Sequence, residues 1–248
     1  MASISDTIIA ASITVLANGL GGLPFVFVEN FPEQLARLGW AGAGGLMLSA
    51  SVFNLIIPGL AEDGVVSVGV GILLGASLMA ITSWFLEKRN YTLQGVSEGG
   101  GRRIILVLVT LFIHSIPEGL AIGVSFGSGQ ATLGLIMTIA IAIHNIPEGV
   151  AVSLPLRAEG VSGWKCVGWA IFSGVPQVVA AVPAYLAVIQ FRPLLPYAFG
   201  LAAGAMIYLV MGEMIPESRA DEQQRRSSAV AGMTGFLAMM ALQTLLVF

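Results

Sequence analysis

The sequence predicts an all-α integral membrane protein, a single polytopic domain over residues 1–248 in which eight helices cross the bilayer. Three observations predict it. Of 248 residues, 56% are hydrophobic and 10% charged, with mean hydropathy +0.89, whereas a soluble chain carries roughly 25% charged residues. Eight stretches approach the ~20 apolar residues that a crossing needs: 7–28, 38–60, 65–86, 104–126, 131–154, 166–190, 194–215 and 229–248. Finally, those spans sort the basic residues. Arg37, Lys88, Arg89, Arg102, Arg103, Arg157, Lys165, Arg219, Arg225 and Arg226 fall on one side, and Arg192 alone on the other. Cytoplasmic loops gather Lys and Arg, so both termini are expected outside the cytoplasm, in a multi-pass protein of the cell membrane.

The first span is expected to be retained, because it carries Asp6 and no basic segment precedes it, unlike a cleaved signal. Asn18 in this span and Asn54 in the second are expected to hydrogen-bond between helices. Glu62 and Asp63, in the short connection at 61–64, form a solvated turn in this reading. The connections near 29–37, 155–165 and 216–228 are polar; those near 127–130 and 191–193 are very short. The segment 87–103 holds four basic residues and Gly99-Gly100-Gly101, which suits a flexible linker. A seven-helix alternative would scramble the ten-to-one partition of basic residues. Net charge −3 offers no basic stripe for nucleic acid. Cys166 is the only cysteine, which excludes an intrachain disulfide and a cysteine-based zinc cluster.

The chemistry lies in spans four and five, which hold the only two histidines. His114 opens His114-Ser115-Ile116-Pro117-Glu118-Gly119-Leu120-Ala121, and thirty residues later His144 opens His144-Asn145-Ile146-Pro147-Glu148-Gly149-Val150-Ala151. Both read H-x-I-P-E-G-x-A. His and Glu four apart share one helix face. The proline between them deprives the Ile113 or Ile143 carbonyl of its usual donor, and in lipid that carbonyl needs another partner. Short-linked consecutive spans run antiparallel, so the two motifs can meet near the midplane, as interrupted helices do around transporter sites. Two imidazoles and two carboxylates suit a zinc-like divalent ion: nitrogen for a borderline metal, oxygen for charge balance. A purely structural role for intramembrane His and Glu is the duller reading; the duplicated pattern weighs against it.

At these residues the sequence resembles the ZIP (Zrt/Irt-like) divalent metal transporters, in particular their GufA-like branch. The likeness extends to Met47-Leu48-Ser49-Ala50-Ser51, Ala151-Val152-Ser153-Leu154-Pro155-Leu156-Arg157, Ser173-Gly174 and Glu213-Met214-Ile215-Pro216-Glu217. The resemblance implies eight helices, a two-metal centre between helices four and five, and uptake toward the cytoplasm. It implies that His114, Glu118 and Glu148 hold the inner metal, with His144 and Met47 lining it. It further implies a second site from Ser115, Asn145 and Gln177 that shares both glutamates. Two positions depart from the family pattern: Ser115 stands where Asn is usual, and Gln177 where Glu is usual. Both weaken the second site. By family position, Asn54 lines the outer entrance.

The reading is therefore transport of divalent transition-metal ions by alternating access, with zinc first and iron, manganese, cadmium or cobalt also suited to an N/O site. The metal is cargo, and no cofactor is expected. Partners are the ion and the lipid bilayer, with a homodimer allowed. A metal channel or a proton-coupled exporter could use the same ligands. An intramembrane hydrolase is the remaining rival, because Gly123-Val124-Ser125-Phe126-Gly127 matches G-x-S-x-G. Ser125 stands eleven residues past His114, about 16 Å along a helix, and H-E-x-x-H is absent, so the chain is expected not to be an enzyme.

Overall fold

A computed structural model describes residues 3–28, 32–88, 100–217 and 222–247. Among the described residues every element is helical: α1 (Ile4–Gly22), α2 (Pro24–Phe27), α3 (Glu33–Ala50), α4 (Ile57–Lys88), α5 (Gly100–Gly127), α6 (Ala131–Ala158), α7 (Gly163–Gln190), α8 (Leu195–Leu209), α9 (Ile215–Glu217) and α10 (Glu222–Val247). Wider π-helical turns, Ser51–Ile56 and Val210–Met214, carry α3 into α4 and α8 into α9. Among the described residues, six stretches are long and apolar enough to cross a membrane, and Leu111–Gly127 is a shorter apolar one. The chain is an all-α membrane protein.

One of those stretches, Arg37–Phe85, has 49 residues, about 74 Å if straight and more than twice a hydrocarbon core of about 30 Å. It is not straight. Asp63 (φ −150°, ψ 17°) and Gly64 (φ 77°, ψ −169°) leave helical geometry. The positive φ at Gly64 suits a residue without a Cβ. Asp63 and Glu62 are exposed, and Ser67 Oγ donates to Asp63 Oδ2 as the chain re-enters the helix. The turn expected at 61–64 therefore stands where the sequence puts it. Other helices run further than the apolar count: α10 begins at Glu222, inside the connection expected at 216–228, because Gln223, Gln224, Arg225 and Arg226 are good helix formers. The expected linker at 87–103 lies mostly outside the described residues.

Glycines set the helix pairs. In α4 and α8, Gly71 meets the Tyr197 carbonyl and Gly75 the Leu201 carbonyl, and Gly204 meets that of Ile72. In α5 and α7, Gly119 meets Gln177 and Gly123 meets Ala181. In α1 and α6, Asn18 meets Gly149 and, one turn on, Gly22 meets Ser153. Gly45 of α3 meets Gly232 of α10, and Gln243 Nε2 donates to the Phe53 carbonyl further on (3.2 Å). In each pair both chains advance together, so the partners run parallel. α1, α5, α6 and α7 pack mostly on one another, and α4 packs on α8 as α3 does on α10. Arg192, at the turn between α7 and α8, donates from Nη1 to the Ser128 carbonyl (2.7 Å) at the α5–α6 turn.

Such seams tolerate no Cβ. Gly204→Ala is expected to lower the thermal midpoint in detergent, because a methyl there collides with the Ile72 main chain and overpacking costs about 1–3 kcal/mol. Gly69→Ala, where a Cβ meets nothing within 4 Å, should leave the midpoint unchanged or raise it. Equal midpoints for the two variants would contradict the seam.

Candidate metal site

α5 and α6 cross with their H-x-I-P-E-G-x-A segments side by side. Pro117 and Pro147 lie inside helices that continue past them. Glu118, His144 and Glu148 are all buried, and each offers a ligand atom within 4.8 Å of the others. His144 and Glu148 come from one face of α6, and Glu118 comes from α5. His144 Nε2 lies 2.6 Å from Glu118 Oε1, and His144 Nδ1 lies 3.1 Å from the Ala140 carbonyl oxygen. A carbonyl can only accept, so Nδ1 carries a proton. That leaves Nε2 as the atom facing the carboxylates, with its orientation fixed by the backbone, the usual way a protein presents an imidazole to a metal.

Glu118 is held from behind as well. Gln177 of α7 donates from Nε2 to Glu118 Oε2. Gln177 Oε1 accepts from Thr14 Oγ1 of α1 and from Asn145 Nδ2 at 3.2 Å. Asn145 Nδ2 also reaches the Thr14 carbonyl oxygen (2.8 Å). Four helices thus meet in one network that fixes both oxygens of Glu118. Glu148 differs: both its carboxylate oxygens are buried without a hydrogen-bond partner among the described residues. A buried carboxylate in that state is costly, and either a proton or a bound cation removes the cost. The imidazole nitrogen and two carboxylates match the donor set of a divalent transition metal with positions left for water or another ligand, and the two carboxylates balance its charge.

Of the other residues expected at the site, Asn145 and Gln177 join through the network. His114 is buried on α5 outside the compact group, its ring centroid 6.3 Å from that of Trp40 on α3. Met47 is fully buried, two helical turns past Trp40 on the same face of α3. Ser115 is buried, and its Oγ has no partner among the described residues. Ser125 Oγ is likewise buried and has no hydrogen-bond partner among the described residues. Thr14 and Trp40 were not expected. Thr7, Thr14 and Asn18, spaced like one helix face and all buried, were the available signal for Thr14.

Residues 96–243 match the family model described as ZIP zinc transporter, a stretch that includes both motifs and Gln177. The zinc transporter GufA of Myxococcus xanthus is 32% identical over 95% of this chain and 96% of its own length. The zinc transporter ZIPB of Bordetella bronchiseptica is 39% identical over 86% of this chain and 72% of its own. A putative zinc transporter of Arabidopsis thaliana is 37% identical over 98% of this chain, which spans only 39% of that longer protein. A buried His/Glu/Glu group on a duplicated intramembrane motif, a family match covering more than half of the sequence and full-length similarity to GufA agree: the chain belongs to the ZIP zinc transporter family.

Proposed function

We propose that this protein carries zinc across the cell membrane toward the cytoplasm, through the site formed by Glu118, His144 and Glu148. The observation that carries the reading is that group itself, three ligand atoms within 4.8 Å of one another in a buried place. Iron, manganese, cadmium and cobalt suit the same donors. The ion exchanges water for one imidazole and two carboxylates, which is tight enough to admit it and open enough to release it. Alternating access follows from one group of helices moving against the other, and the packing of α1, α5, α6 and α7 mostly on one another supports such a division. Radiolabelled zinc flux into proteoliposomes holding the purified chain is the test. Saturable uptake above that of empty liposomes is expected, and its absence in vesicles of both protein orientations would end the transport reading.

The eight-crossing arrangement belongs to the same proposal. The break at Asp63 and Gly64 and the parallel pairs α1 with α6 and α3 with α10 support it, since parallel partners must be separated by an even number of steps. With the basic residues on the cytoplasmic side, Ser97 lies in the cytoplasm. In a Cys166→Ala background, Ser97→Cys should resist an impermeant maleimide in intact cells and react after lysis. Labelling before lysis would invert the topology.

A further inference from the structure

Every residue of α3 between Leu38 and Leu46 is glycine or alanine except Trp40. Gly42 and Gly45 are small because they lie against Gly235 and Gly232 of α10, main chain to main chain. Trp40 stands on another face, which it shares with Ala43 and Met47, and all three are buried. That face meets the other group of helices. The ring centroid of Trp40 lies 6.3 Å from that of His114 on α5, a packed-ring distance. A Cβ on the neighbouring Gly39 would lie 3.6 Å from Pro147 Cβ on α6, the residue before Glu148. The depth is fixed as well. α1 runs parallel to α6, and α3 starts shortly after α1 and α2 finish, so α3 begins at the end of the bundle where α5 starts and α6 finishes. His144 pairs with Glu118, and His114 and Glu148, each four residues along, lie about 6 Å nearer that end. Trp40, beside His114, therefore stands between the Glu118–His144 pair and the end that carries Arg37 and Arg157. Its Nε1 is buried without a hydrogen-bond partner among the described residues. A buried tryptophan kept for packing usually finds a partner for that N–H. Here the unsatisfied donor penalises the closed arrangement, and water would satisfy it once the seam opened.

We propose that Trp40 is the cytoplasmic gate of the metal site: its indole, carried by α3, closes the seam between α3 and the α5–α6 pair at His114 and comes clear when the two helix groups move apart there. The inference rests on the zinc-transport reading and adds to it the place where the site is shut. One bulky side chain among glycines and alanines makes a single obstacle, so a small displacement of α5 and α6 against α3 suffices to open it. The unpaired N–H keeps the closed seam from becoming too stable to open.

A thiol at position 115 reports access to the site. Ser115 follows His114, is fully buried, and its Oγ has no partner among the described residues, so Ser115→Cys fits the same space and strands no partner. The full chain carrying Ser115→Cys and Cys166→Ala is placed in vesicles, and a membrane-impermeant thiol reagent is added from the face that carries Arg157 or from the opposite face. Adding Trp40→Ala should raise the modification rate from the Arg157 face about tenfold, the effect of taking roughly 1.4 kcal/mol off a barrier. The rate from the opposite face should not change. Trp40→Phe leaves a smaller ring in place and should give a smaller rise from the same face; it decides the matter if Trp40→Ala fails to fold. Unchanged access from the Arg157 face overturns the gate. So does a rise from both faces, the mark of a merely loosened core, or from the opposite face alone. Zinc flux by the parent chain is read separately. Its absence would remove the transport reading while a one-sided barrier at Trp40 stood, whereas a transporting parent with no one-sided change removes the gate alone.

Discussion

Glu148→Ala is expected to abolish zinc uptake and at the same time raise the thermal midpoint of the metal-free protein. The two effects share one cause. Both carboxylate oxygens of Glu148 are buried without a hydrogen-bond partner among the described residues, so in the metal-free protein the side chain is a net cost, and removing it should stabilise by about 1–3 kcal/mol. With a divalent ion bound, the same carboxylate faces a full charge that the membrane interior does not screen. Breaking a buried charge pair costs about 3–5 kcal/mol, which is about 150- to 5,000-fold in affinity. Glu118→Ala should lose zinc just as badly but lower the midpoint, because it strands His144 Nε2 and Gln177 Nε2, the two groups now bonded to it. Thermal melting with and without zinc, and zinc titration of each variant, read both effects. If Glu148→Ala bound zinc like the parent, Glu148 would not be a ligand. If the two variants shifted the midpoint alike, the different surroundings assigned to the two carboxylates would be wrong.

The fold was legible because lipid leaves few choices. Apolar runs of spanning length, with polar connections between them, locate most helices to within a few residues, and the turn at Asp63 and Gly64 was visible as two acids and a glycine between two such runs. The ends of α6 and α10 were not, because charged helix formers prolong a helix beyond the apolar stretch. The motif residues were legible for a different reason: two copies of one His/Pro/Glu pattern cannot be read as chance packing. What one sequence cannot supply is which face of which helix meets which. Thr14 reaches the site only because Gly149 and Gly21 let α1 lie directly on α6. The same ignorance of pairing hid the different surroundings of the two histidines. The repeat makes His114 and His144 look equivalent. The packing sets His144 against Glu118 and Glu148 and leaves His114 beside Trp40.

Zinc binding should release a proton from the His144–Glu118 pair, and zinc affinity should therefore fall as the pH is lowered. The proton can be counted from the hydrogen bonds. Nδ1 of His144 keeps one proton for the Ala140 carbonyl, and a second must lie between Nε2 and Glu118 Oε1, 2.6 Å apart, whichever atom holds it. A metal ligated by both atoms takes that place, since it needs the Nε2 lone pair and an ionised carboxylate. The sign follows. The metal-free site binds more protons than the occupied one, so affinity rises with pH until the pair has lost its proton and is flat above that. Per released proton the slope is about tenfold in affinity per pH unit. Calorimetry at pH 5.5 and 7.5 in two buffers of different ionisation enthalpy gives the proton count directly. His144→Ala should lose this release along with much of the affinity, while His114→Ala, outside the compact group, should keep the release. If His114→Ala abolished the release and His144→Ala retained it, the two histidines would have to exchange roles. Binding without proton release at either pH would mean that the metal is held by atoms other than Nε2 and Oε1.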